Sequence, residues 1–186
     1  MELSDIDLVT LAKAAQQSAA FEALVKRHQA PLRAFLVRLT GDAAHADDLA
    51  QEAFLKAFRG LDGFRGGASF RSWLFSIAMR EAAMARRKDA ARNRLAAKAV
   101  DDTDSASPAE FSIDLQRALE TLTAEERAAA LLCDAAGFSH AEAANAMAAP
   151  LGTVKTLVAR AREKLRAAMT TGRDDNENAA RDAACG

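Results

Sequence analysis

Tyrosine is absent from this 186-residue chain, and only 5% of its residues are aromatic. Valine, isoleucine and threonine are also sparse, and a chain this short of strand formers excludes a β-rich fold. Three prolines and nine glycines leave long stretches without a breaker. The only cysteines are Cys133 and Cys185, with no CxxC pair and no Cys/His cluster. That excludes a disulfide scaffold or a zinc ribbon and points to a reduced compartment. No segment approaches the roughly 18 uninterrupted apolar residues of a membrane span. The start, Met1-Glu2-Leu3-Ser4-Asp5, is acidic and lacks the basic head and apolar run of a secretory leader. A cytoplasmic protein with no membrane insertion is expected.

What is present is alanine, about a quarter of the chain. Alanine loses no side-chain entropy in a helix, so the composition predicts an all-α fold. The charge has no excess of either sign: 25 basic and 26 acidic residues, formal net −1. Its distribution is uneven. Residues 53–98 carry 11 basic and 3 acidic side chains, residues 99–126 carry 1 and 8, and residues 150–170 carry 5 and 1. Two basic blocks on either side of an acidic one predict two contacts with a polyanion and a connector that avoids it.

Apolar spacing predicts a helix over Asp5–Gln16 and another over 19–39, kinked or split at Pro31. A third runs over Ala43–Gly60 behind the N-cap Asp42, burying Ala46, Leu49, Ala50, Ala53, Ala57, Phe58 and Leu61. A Gly-rich loop, Asp62–Ala68, leads to Ser69, which caps a basic helix continuing towards Lys98. Residues 99–112 have no periodicity and read as a linker. Beyond it come a helix over Ile113–Leu122, a capping box Thr123–Glu126, a stop at Gly137 and a second capping box Ser139–Glu142. A short helix then ends before Pro150. A long one starts at Gly152-Thr153, with Val154, Leu157, Val158, Ala161, Leu165 and Ala168 on one face. The polar tail 171–186 reads as disordered.

Three constellations carry the functional signal. Residues 139–166 form a helix-turn-helix with a Gly in the turn. Thr153, Lys155, Thr156, Ala159 and Arg160 stand on the outer face of its second helix, where small and basic residues suit a major groove. The alternative is a two-helix hairpin with a solvated basic face. The second constellation is the Gly-rich loop with the basic helix: Phe64, Arg65, Ser69, Arg71, Trp73, Arg80, Arg87 and Lys88. Basic grooves with aromatic rings hold single strands. Phe70 and Trp73 also have core spacing, whereas Phe64 and Arg65 have no periodic reason to be buried. The third is the outer face of the 43–60 helix, Asp48, Gln51, Glu52, Leu55 and Arg59. An apolar residue that the core does not need suits docking on another protein's helix, and a plain solvated face is the alternative. Catalysis has little support. His28, His45 and His140 fall on different elements, and Asp47, Asp48 and Glu52 have no partner cluster. No catalytic residue, metal or cofactor is expected.

The order of these parts resembles a known family. Asp47-Asp-Leu-Ala-Gln-Glu-Ala-Phe-Leu-Lys-Ala-Phe-Arg59 is followed by Phe64-Arg-Gly-Gly-Ala-Ser-Phe-Arg-Ser-Trp-Leu-Phe-Ser-Ile-Ala78. Then come Gly137-Phe-Ser-His-Ala-Glu142, Leu151-Gly-Thr-Val-Lys155 and Arg160-Ala-Arg162. Together they resemble bacterial sigma-70 family factors of the extracytoplasmic-function group, over about residues 18–95 and 113–168. The resemblance implies a sigma2-like helical bundle in 1–98, a flexible acidic linker in 99–112 and a sigma4-like helix-turn-helix domain in 113–170. It implies that Asp48, Gln51, Glu52, Leu55 and Arg59 dock on core RNA polymerase through the clamp helices of the β′ subunit, with β as a further contact. It further implies that the loop and basic helix recognise and open the −10 element, with a loop pocket for a flipped base. The helix-turn-helix would read the −35 element of promoter DNA. The acidic linker would pass through the polymerase, and an anti-sigma factor would restrain the protein, as in stress-response regulation. Met79-Arg80 stands where the family commonly has Arg-Asn, Met84 where Asp is frequent, and Leu157 where Arg is common. The other readings are a stand-alone helix-turn-helix regulator and a sigma-mimicking adaptor that sequesters an anti-sigma factor.

Overall fold

The computed structural model describes residues 3–15, 18–96 and 113–183. Every regular element among them is helical: α1 (Asp5–Ala15), α2 (Ser18–Thr40), α3 (Ala43–Arg59), α4 (Phe70–Ala96), α5 (Ile113–Glu120), α6 (Ala124–Ala130), α7 (His140–Met147) and α8 (Leu151–Ala183). The linker 99–112 lies outside the described residues, as do Cys185 and the extreme tail.

The N-terminal bundle is α1–α4. Asp42 accepts the His45 backbone N–H at 3.0 Å and starts α3. Gly41, with φ of +77°, makes the turn before it. Ala46, Ala53 and Ala57 are fully buried, and these small side chains let α3 lie close to α2 and α4. The core between them is Leu24, Leu32, Leu36, Leu74 and Phe75, all at 0% exposure. Burying each such side chain stabilises by about 1.5–3 kcal/mol. Of the two outcomes expected at Pro31, a kink or a split, the split does not occur: α2 runs through it as one helix. Proline removes one backbone hydrogen bond, but Leu32, Phe35 and Leu36 pack the turn that follows it.

α1 is tied across α2. Asp5 receives Arg27 Nη1 at 2.6 Å and His28 Nε2 at 2.8 Å, and Arg27 Nη2 donates to the Leu3 carbonyl. His28 is 6% exposed and stacks at a tilt on Phe70. Burial holds its pKa below the ordinary value, against the opposing pull of Asp5.

The C-terminal domain is α5–α8. Both capping boxes form: Thr123 with Glu126, and Ser139 with Glu142. Glu126 also accepts Lys164 Nζ of α8 at 2.7 Å, which together with the Thr123 backbone holds its carboxyl below the usual range. After α6 the chain widens into a π-helical turn, Leu131–Ala135, and Gly137 (φ +71°) reverses it. The π turn was not legible from spacing; it places Leu131 and Leu132 inward together. Val154, Val158 and Ala161 are fully buried, as their spacing predicts, and Leu157 packs against the same core. The tail differs from expectation. α8 continues past residue 170 to Ala183, since Gly172 is the only strong breaker in that stretch and one glycine costs a helix only about 1 kcal/mol.

Candidate nucleic-acid and protein interfaces

The first surface is a groove of about 630 Å³ between α2 and α3, passing Phe21, Val25, Gln51, Phe54, Leu55 and Phe58. Leu55 is 42% and Phe58 49% exposed. The placement of Phe58 corrects the buried face assigned to α3. It lies about 100° round the helix from Ala57 and is left half exposed, in a T-shaped contact with the Phe21 ring at 5.0 Å. Scattered exposed apolar residues are ordinary, whereas several converging in a groove fit the apolar face of a partner helix. The rim is charged. Arg33 meets Asp47 at 2.6 Å and Lys56 meets Glu52 at 3.5 Å. Lys56 also donates to Glu81 at 2.5 Å, which holds its ammonium above the ordinary value. Asp48, Gln51 and Arg59 are exposed and Glu52 is half-buried, so the five predicted residues do share one side of α3.

The second surface is the loop between α3 and α4. A 3-10 turn, Leu61–Gly63, opens it, and Gly66 adopts φ +72°, which a glycine takes without strain. The loop encloses a pocket of about 160 Å³ lined by Gly63, Arg65, Gly67, Ser72, Trp73 and Asn145. Phe64 was expected to stand free, and it does not. It is 6% exposed, its ring 5.2 Å from Trp73 and 6.1 Å edge-on from Phe70. The Phe64 N–H bonds back to the Leu61 carbonyl at 3.0 Å, and this turn folds the ring onto α4. Half-buried Trp73 lines the pocket beside exposed Arg65. Ser69 spends its hydroxyl on the helix start: Oγ accepts the Ser72 N–H at 3.1 Å and donates to Ser72 Oγ at 3.0 Å. Arg80 is exposed, its guanidinium laid back on Ser76, and Arg87 and Lys88 are exposed further along α4.

The third surface is the outer face of α8. Thr153, Lys155, Thr156, Ala159 and Arg160 are all exposed there, opposite Val154 and Val158. Thr156 Oγ1 donates back to the Gly152 carbonyl at 3.0 Å. The turn differs from expectation. The left-handed residue between α7 and α8 is Ala148 (φ +50°), and Gly152 lies inside the first turn of α8. Arg162 is held by Asp134 of the π turn through contacts of 2.5 and 3.1 Å.

The two domains also touch each other, through α4 and α7. Arg71 Nη2 donates to the Ala136 carbonyl, and its guanidinium lies 4.2 Å from the Phe138 ring centre. Phe138 in turn packs on Phe75 at 4.9 Å. Arg127 reaches the Leu39 carbonyl at 3.4 Å, and Asn145 closes one side of the loop pocket. Arg71, expected on the outer face, is therefore taken up by the C-terminal domain. Only tertiary contact decides this, and its helical position gives no warning of it.

Among the described residues, no three His, Cys, Asp or Glu side chains gather as a metal site, and no helix is long and apolar enough to cross a membrane. Sequence reasoning missed Phe21, Val25, Phe54 and Phe58 as groove residues.

Comparison with known proteins agrees with this layout. Residues 24–92 match the family model of sigma-70 region 2, and residues 112–165 that of sigma-70 region 4. The chain is 32% identical to the RNA polymerase sigma-H factor of Pseudomonas aeruginosa, over 78% of this chain and 84% of that protein. It is 37% identical to the ECF RNA polymerase sigma factor SigM of Mycobacterium tuberculosis, over 88% and 84%. Among solved structures it is similar to the sigma factor RpoE of Bartonella quintana in complex with the anti-sigma factor NepR. That likeness has a TM-score of 0.71 at 30% identity, covering 81% of this chain and 96% of that one. It is also similar to CnrH in complex with the cytosolic domain of CnrY, with a TM-score of 0.68 at 26% identity, over 90% and 97%.

Proposed function

This chain belongs to the extracytoplasmic-function group of the sigma-70 family of transcription initiation factors, and from that premise we propose how its surfaces divide the work. The α2–α3 groove takes an apolar helix of core RNA polymerase, seated on Leu55 and Phe58, with Asp48, Gln51, Glu52 and Arg59 at its edge. The loop pocket takes an unstacked base of the −10 element, with Arg65 and Trp73 against the base and Arg80, Arg87 and Lys88 along the strand. The outer face of α8 enters the major groove at the −35 element, where Lys155 and Arg160 reach phosphates or base edges. The protein contributes binding and strand opening, with no catalytic chemistry of its own, and acts in the cytoplasm where polymerase and promoters are.

The observation that carries this reading is the exposed apolar groove in a chain that also bears two separate basic faces. A plain DNA-binding regulator has no use for Leu55 and Phe58 in water. The Arg71–Phe138 contact adds a condition. Asn145 of α7 must leave the loop, and Ala136 and Phe138 must release Arg71 of α4, before the pocket is open to a base, so promoter binding follows opening of the two domains. Sigma-factor neighbours in complexes with anti-sigma factors support a similar partner here, one that holds the closed form or fills the groove.

The test is polymerase-dependent binding. Labelled genomic fragments incubated with core enzyme plus this chain should yield specific complexes that neither component forms alone. Specific retention by the chain without polymerase would identify a stand-alone regulator instead.

A further inference from the structure

The loop pocket is built largely of glycine and backbone, and few of its own bonds hold it. Within the loop, the Gly63 and Phe64 N–H groups bond back to the Gly60 and Leu61 carbonyls. Beyond that turn, the Phe64 ring is packed on α4, and the loop carbonyls are held from α1, which lies outside the matched region 24–92. Lys13 Nζ donates to the Phe64 carbonyl at 2.6 Å and to the Asp62 carbonyl at 3.3 Å. These carbonyls sit at the exit of the 3-10 turn, where a cation complements the unpaired oxygens. Ile6 supports the next bend, its Cδ1 3.9 Å from where a Cβ on Gly66 would stand. α1 is itself fixed, with Leu8, Val9 and Ala12 buried and Asp5 bound by Arg27 and His28.

We propose that Lys13 is a positioning residue for the −10 loop: by clamping the Asp62 and Phe64 carbonyls from α1, it sets the pocket's shape and hence how strongly the protein discriminates the unstacked base. Lys13 does not touch DNA in this account. It acts through the loop backbone, as a support shell does for any recognition site. The proposal rests on the reading of the loop as the base pocket.

The experiment compares wild type, Lys13→Met and Lys13→Arg, each assembled with core polymerase. Methionine keeps the apolar stem and removes the donor; arginine keeps a charged donor. Two quantities are measured: amide exchange across residues 62–68, and the ratio of affinities for a single-stranded −10 oligonucleotide and the same strand with an abasic site at the flipped position. Hydrogen bonds from charged donors are strong enough that their loss should speed loop exchange about tenfold. Lys13→Met should therefore exchange faster across the loop and lose several-fold in the intact-to-abasic ratio, with affinity for core polymerase unchanged and Lys13→Arg partly restoring both. Wild-type discrimination retained in full by Lys13→Met, or loop exchange that does not move, would overturn the role of Lys13 alone. A wild-type holoenzyme indifferent to the abasic site would overturn the pocket reading and the proposal with it.

Discussion

Replacing Leu55 by arginine isolates the proposed polymerase contact. Leu55 is 42% exposed, about 70 Å² of apolar surface that a partner helix would cover, worth about 2 kcal/mol at 25 cal/mol per Å². Arginine forfeits that burial and brings a charge to a groove whose walls are Phe21, Phe54 and Phe58. The total penalty on binding is then about 2–4 kcal/mol, a fall in affinity of about 30- to 700-fold. Because the side chain projects from the fold, thermal stability should stay within about 0.5 kcal/mol of wild type. Titrating fluorescently labelled protein with core polymerase measures the affinity, and a melt of the free protein controls for folding. Equal affinities for wild type and Leu55→Arg would refute the assignment of this groove. Weaker binding accompanied by an equal loss of stability would show that Leu55 supports the bundle instead.

Arg160→Ala should weaken binding to a −35 duplex by about 1–3 kcal/mol and relax preference at one position if it reads a base, or weaken all sequences alike if it meets phosphate, as a set of singly substituted duplexes will distinguish. Ala148→Gly should stabilise the C-terminal domain by about 0.5–1 kcal/mol in urea unfolding, because alanine is strained at φ +50° and its exposed methyl group makes no core contact. Arg71→Ala removes a hydrogen bond and a cation–π contact between the domains, together about 1–3 kcal/mol, and should raise the radius of gyration in X-ray scattering. Acid should destabilise the N-terminal bundle through His28. Its folded pKa is lowered by burial, so the unfolded chain binds the proton first, and stability is full above pH 6.5 and lost as pH falls below it. Melts between pH 7.5 and 5.5 should show that loss, and His28→Gln should flatten it.

Local rules carried the reading a long way. The two capping boxes, the Asp42 cap and the buried stripe Val154, Val158 and Ala161 stand where residue type and spacing place them. The outer residues of α8 and α3 were legible for the same reason, since a helix face is a property of its own sequence. What escaped depends on a second element. Phe58 looks like core until α2 is seen to leave it half exposed, with Phe21 in T-shaped contact. Phe64 looks like a free loop residue until the 3-10 turn folds it on Trp73. Arg71 looks like a DNA contact until Phe138, far along the chain, takes its guanidinium. Proline at position 31 does not split α2, because buried leucines on the next turn outweigh one missing hydrogen bond.

If its surfaces work as proposed, this chain confers promoter recognition on core RNA polymerase. Run-off transcription with purified core enzyme on genomic fragments, with and without the protein, measures it directly. Discrete new start sites should appear only with the chain present and disappear with Leu55→Arg. Transcript patterns identical with and without the protein, from polymerase shown to be active with another sigma factor, would contradict it.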